Sequence, residues 1–176
     1  MADHFEILGI PRGFRVDERD LETRYRELSR LFHPDRHAGR SAAERRAALE
    51  KMVQINEAYR TLREPVRRAA YLLSLRGLEL GETDGSKHLP PDFLMEVMER
   101  REAFEEARVR GDRERVRALA RQAHREREEA LAALAGAFDR GDDREAASLV
   151  SKLRYLDRFL AEIRAWEDRV FEEEHG

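Results

Sequence analysis

From Pro91 almost to the C-terminus, apolar residues recur every three or four positions, and the pattern breaks at only two places, Arg110-Gly111-Asp112 and Arg140-Gly141-Asp142. A strand exchanges faces at every residue, so a three-and-four repeat of this length specifies α-helix and little else. Each break puts Gly where a helix C-terminus favours it and Asp where the next helix needs an N-cap. The triplets therefore read as turns between helices and not as adhesion motifs. In the last helix Leu149, Leu153, Leu156, Leu160 and Ile163 alternate steps of four and three. With Leu119, Leu131, Leu134 and Phe138 before them, they predict an antiparallel three-helix bundle over residues 91–176.

The first half is helical as well. A short helix is expected over residues 3–9 and a longer one from Asp17 to Phe32, where Leu21, Tyr25, Leu28 and Phe32 share a face. Pro34 pushes the residue before it out of helical geometry, so a loop begins at His33-Pro34-Asp35. Ser41-Ala42-Ala43-Glu44 has the spacing of a capping box and starts a return helix, continued on one face by Met52, Ile55, Tyr59 and Leu62. Pro65 opens a further helix that ends near Gly77. Gly77, Gly81, Gly85, Ser86 and Pro90 interrupt all periodicity, so residues 77–90 read as a linker. The expected fold is all-α, with domains at 1–76 and 91–176.

Composition limits what such a chain can do. Of 176 residues 40% are charged and 7% aromatic, and no window approaches the roughly 18 apolar residues of a membrane span. The opening Met1-Ala2-Asp3-His4-Phe5-Glu6 lacks the basic stretch and apolar run of a signal peptide, so a cytoplasmic location and no membrane partner are expected. The absence of cysteine excludes disulfides, thiolate metal sites, a Cys nucleophile and direct Cys ligation of an iron–sulfur cluster. No phosphate loop or nucleophile elbow is present, so no catalytic residue, enzymatic activity or cofactor is expected. His33 and His37 have the i, i+4 spacing of a helical zinc pair, but Pro34 spoils that geometry and no metal site is expected. The net charge of −3 is unevenly spread: residues 1–76 hold 16 basic and 12 acidic residues, whereas 77–176 hold 18 and 25. The halves should face different partners, and the interleaved acids argue against nucleic acid.

Two surfaces stand out. At about 100° per residue, Arg26 and Arg30 fall within about 20° of Arg19, on the side of their helix away from Leu21, Tyr25, Leu28 and Phe32. The run Tyr25-Arg26-Glu27-Leu28-Ser29-Arg30-Leu31-Phe32-His33-Pro34-Asp35-Arg36 resembles helix II and the signature loop of a J-domain, and Asn56-Glu57-Ala58-Tyr59-Arg60-Thr61-Leu62 resembles its helix III. The resemblance implies docking on a heat-shock ATPase chaperone of the DnaK/HscA class and stimulation of its ATP hydrolysis. Asp35 would offer a carboxylate, Pro34 would fix the turn, His33 would orient the loop, and Arg26, Arg30 and Arg36 would steer the encounter.

The second surface lies on the first bundle helix. Taking Leu94 as zero, Phe93, Phe104 and Val97 fall near 260–300° and should face the core. Leu94, Met98 and Met95 fall near 0, 40 and 100°, with Glu102, Glu106 and Glu99 near 80, 120 and 140°. An apolar strip rimmed by acids on the solvent side reads as a partner-binding face or as packing against the first domain or linker. Arg68-Ala69-Ala70-Tyr71-Leu72-Leu73-Ser74-Leu75-Arg76-Gly77, Phe93-Leu94-Met95-Glu96 and Lys152-Leu153-Arg154-Tyr155-Leu156-Asp157 together resemble the HscB family, J-type co-chaperones of iron–sulfur cluster assembly. That resemblance implies an L-shaped pair of domains, recruitment of the chaperone HscA, and binding of the scaffold IscU by Leu94, Met95, Met98, Glu99, Glu102, Glu106 and Tyr155. Met98 and Tyr155 stand where the family pattern leads us to expect Leu and Phe. The paired Cys-x-x-Cys zinc ligands of many eukaryotic relatives are missing, which suggests a bacterial type. The alternative is a J-domain co-chaperone with a different client.

Overall fold

A computed structural model describes residues 2–81 and 89–175, and every regular element among them is helical. The order is α1 (His4–Leu8), α2 (Glu18–Leu31), a 3-10 turn (Pro34–His37), α3 (Ala42–Arg63), α4 (Pro65–Leu75), α5 (Pro91–Arg110), α6 (Arg113–Arg140) and α7 (Asp143–His175). The chain divides into two compact units, the first ending at Leu75 and the second beginning at Arg76. Residues 82–88, within the 77–90 linker expected from the sequence, lie outside the described residues, and Gly85 and Ser86 with them.

In the first unit local signals set the helix ends. Asp3 caps α1 by accepting from the Glu6 amide (2.9 Å), and Glu6 returns the bond to the Asp3 amide (3.1 Å). Ser41 and Glu44 form the same reciprocal box at the start of α3. Helices α1 and α2 pack on α3, which also meets α4, and Phe5, Leu8, Leu21, Ile55, Leu62, Leu72 and Leu73 are fully buried between them. Each such side chain contributes roughly 1.5–3 kcal/mol by leaving water. Tyr25 stacks on Tyr59 with centroids 4.0 Å apart, and its hydroxyl donates to Asn56 Oδ1 (3.1 Å), fixing α2 against α3. Of the four residues expected on the inner face of α2, only Leu21 is fully buried; Tyr25, Leu28 and Phe32 are half-buried.

Asp3 is buried, and burial alone would raise its pKa. The Glu6 amide and the Arg12 guanidinium beside it outweigh that effect and hold the carboxyl below the ordinary range. A carboxyl whose folded pKa is depressed contributes stability that is complete above its unfolded value, about 3.9, and is lost as pH falls through the folded value. Wild type should therefore be more stable than Asp3→Asn above about pH 5. Urea titrations at a series of acid pH values should show the difference shrinking; a constant difference would contradict this role.

In the second unit Gly111 and Gly141 both take left-handed backbone, with φ of 66° and 69°. Asp112 then accepts from the Arg115 amide (2.9 Å) and Asp142 from the Glu145 amide (3.0 Å), so each hairpin turns on a Gly-Asp pair. The core joins Phe93, Phe104 and Ala107 of α5 with Val116, Leu119 and Ala123 of α6 and with Tyr155, Leu156, Phe159 and Ile163 of α7. Val97, Leu131, Phe138 and Leu149 are half-buried at its margins.

Candidate functional site

The loop between α2 and α3 is built by its own side chains. Pro34 opens the 3-10 turn and His33 caps it: the Asp35 amide donates to His33 Nδ1 (3.3 Å). The His37 ring donates from Nε2 to the Leu31 carbonyl (3.2 Å), tying the far side of the turn to the end of α2. This leaves the Asp35 carboxylate 91% exposed, with His33 Nδ1 at 3.6 Å. Arg30, His33 and Arg36 line one shallow groove with Ser29. Arg26 lies farther along α2 and is engaged by Glu22 at 2.6 Å, whereas Arg30 and Arg36 have no ion-pair partner among the described residues. The structure thus gathers His33, Pro34, Asp35, Arg30 and Arg36 into one basic surface with a single protruding carboxylate, and Arg26 extends it along the helix.

The second surface is the outer face of α5. Leu94, Met95 and Met98 are 40%, 65% and 73% exposed, and Glu99, Glu102 and Glu106 are exposed beside them. Glu106 is held by Arg110 at 2.7 Å, while Glu99 and Glu102 have no ion-pair partner among the described residues. Methionine suits such a strip because its unbranched, polarizable side chain adapts to a partner's shape.

Tyr155, on α7, differs from the six α5 residues in being largely buried. It is only 8% exposed, with its ring edge-on to Phe93 (5.5 Å) and stacked on Phe159 (6.2 Å). Phe93 of α5 lies against the ring, and Leu153 and Leu156 of its own helix are fully buried. Its hydroxyl is buried without a partner among the described residues, and burial pushes the phenol's pKa up against the pull of Arg100 and Arg101. An unpartnered buried hydroxyl costs stability. Tyr155→Phe should therefore raise the melting temperature of the second unit by a few degrees, while a fall would show that the hydroxyl is satisfied.

Sequence reasoning missed Arg100, which lies inside the bundle at 6% exposure. Its Nη2 donates to both carboxylate oxygens of Glu126, each at 2.7 Å. The available signal was its angle, about 20° from Phe93 on the helical wheel.

Among the described residues no group of three or more His, Asp or Glu side chains could hold a metal ion, and no helix is long and apolar enough to cross a membrane. Residues 3–71 match the DnaJ domain family, and residues 89–164 match the HSCB C-terminal oligomerisation domain family. A co-chaperone protein HscB homolog of Cupriavidus taiwanensis is 41% identical over 156 residues, 89% of this chain and 88% of that one. Its counterpart in Burkholderia thailandensis is 39% identical over 95% of each. Among solved structures, the chaperone HscB from Vibrio cholerae superposes with a TM-score of 0.82 at 35% identity, over 96% of this chain and 99% of that one. The human co-chaperone protein HscB gives 0.87 at 30% identity, over 95% and 83%.

Proposed function

The chain belongs to the HscB family of co-chaperones, and we propose that it delivers an IscU-type iron–sulfur scaffold protein to an HscA-type heat-shock ATPase chaperone and stimulates that chaperone's ATP hydrolysis in the cytoplasm. One observation carries this reading. Two compact units of the chain each present an exposed surface, and the two surfaces have opposite chemistry: a basic loop with a protruding carboxylate, and an apolar strip with an acidic rim.

The geometry supports a role for each residue. Because His33 already engages the Asp35 amide, the loop keeps its shape and its carboxylate is free to accept from an arginine or amide of the ATPase. Arg26, Arg30 and Arg36 speed the encounter with an acidic partner surface. On α5, Leu94, Met95 and Met98 supply the apolar anchors for the scaffold. Glu99, Glu102 and Glu106 select a basic rim on it. The hydrolysis takes place in the chaperone, and this chain contributes placement: joining two weak contacts in one polypeptide raises the effective concentration of scaffold at the ATPase. The family fits the lack of cysteine, since such a chain would handle the cluster's carrier and not ligate the cluster.

Chaperone ATPase rates measured with the chain alone, with scaffold alone and with both provide the test. Delivery requires a rate with both that exceeds the sum of the separate stimulations, and simple additivity would defeat it.

A further inference from the structure

Helix α5 is apolar on two sides. Phe93, Val97 and Phe104 turn inward, and Leu94, Met95 and Met98 turn outward, the centres of the two sets lying about 130° apart at 100° per residue. Phe104 and Ala107 hold the C-terminal half of α5 inward, but in the first two turns only Phe93 and Val97 face the core against three outward residues, so apolar burial fixes the roll least there.

A buried charge lies next to the turns where that choice is open. Arg100 sits on the inward side with its Nη2 on both oxygens of Glu126 in α6, and Gln122 Nε2 donates to the same carboxylate (3.0 Å). Its guanidinium lies 5.8 Å from the ring centroids of both Tyr155 and Phe159. Yet Arg100 Nη1 is buried without a partner among the described residues. A buried ion pair that leaves a donor unused adds little net stability, and apolar replacement of both members is often neutral or better, whereas separating the partners is costly. Rolling α5 to bury Leu94 and Met98 would pull Arg100 off Glu126 and strand a carboxylate that is itself mostly buried. Arg101, one residue on, reaches Glu162 of α7 at 3.0 Å, but both members are exposed and such pairs hold weakly.

We propose that the Arg100–Glu126 pair sets the roll of α5, making Arg100 the positioning residue that keeps Leu94, Met95 and Met98 on the outside. Its functional consequence rests on reading that strip as scaffold-binding; the roll itself does not. The test is the double variant Arg100→Ala with Glu126→Ala in the full chain, which removes the pair without adding a large apolar side chain to the inward side. It should keep its helical circular dichroism and a cooperative melt, since both members of the buried pair leave together. Oxidation of Met95 and Met98 by dilute hydrogen peroxide, followed by mass spectrometry against Met52 of the other unit, should slow by about fivefold or more as they leave solvent. Wild-type oxidation ratios in a folded variant overturn the proposal. Loss of the fold overturns it too, by assigning the pair to stability. Because the oxidation assay contains no partner, slowed oxidation with undiminished scaffold binding upholds the roll and overturns the scaffold reading of the strip.

Discussion

Asp35→Ala is expected to remove stimulation of an HscA-type ATPase while leaving the fold intact. The carboxylate is almost fully exposed, and the ionisable group within 4 Å of it among the described residues is the His33 ring, at 3.6 Å. Substitutions at such positions change stability by less than about 0.5 kcal/mol. At the interface the balance is different, because the carboxylate would be desolvated against a cationic or amide donor that alanine leaves unpaired. Truncating one member of a hydrogen-bonded charge pair costs about 2–5 kcal/mol, so half-maximal stimulation should need about thirtyfold more protein or more. The check is a titration of chaperone ATPase rate with wild type and variant, accompanied by melting curves. Retained stimulation by a folded variant would defeat the docking role of the loop. Raising the salt should weaken wild type as well, because exposed Arg30 and Arg36 act across distances comparable to the Debye length of about 8 Å at 0.15 M.

Leu94→Ala combined with Met98→Ala should have a comparable effect at the other surface. Both side chains are exposed, so the bundle loses little packing, and alanine favours the helix. If the two residues are anchors, each truncation costs about 1–2 kcal/mol or more, and the pair should weaken scaffold binding by about thirtyfold or more. Isothermal titration of scaffold into each protein measures this directly. Unchanged affinity would remove the strip from the interface. Glu99→Lys with Glu102→Lys should reverse the acidic rim and reduce the association rate more than it raises the dissociation rate.

Local chemistry made much of the fold legible. Ser41 with Glu44, Asp112 and Asp142 all cap the helices their spacing indicated, since a cap depends on residues within one turn of it. The His-Pro-Asp loop was legible for the same reason. The partly exposed setting of Tyr25, Leu28 and Phe32 was not, because it depends on how far α3 extends beside α2. The burial of Tyr155 was not legible for a similar cause: the ring against it, Phe93, lies in another helix. Arg68 and Arg100 are the clearest cases. Arginine is seldom buried and reads as surface, yet Arg68 is enclosed where its Nη1 donates to the Leu62 carbonyl (2.6 Å), and burial lowers its pKa. Both partners lie outside the residue's own turn, so what holds each arginine inside does not show in its local pattern, although the angle of Arg100 beside Phe93 does.

The Gly-Asp turns also bear on how quickly the second unit assembles. Only two residues separate Arg140 from Asp143, so bringing α6 against α7 closes almost no loop and the hairpin can zip outward from Gly141. Neighbouring-helix contacts of this kind place the bundle among low-contact-order folds, which form in microseconds to milliseconds. The same two-residue spacing joins Arg110 to Arg113, so the exposed strip from Leu94 to Glu106 is also completed by docking between helices that are neighbours in sequence.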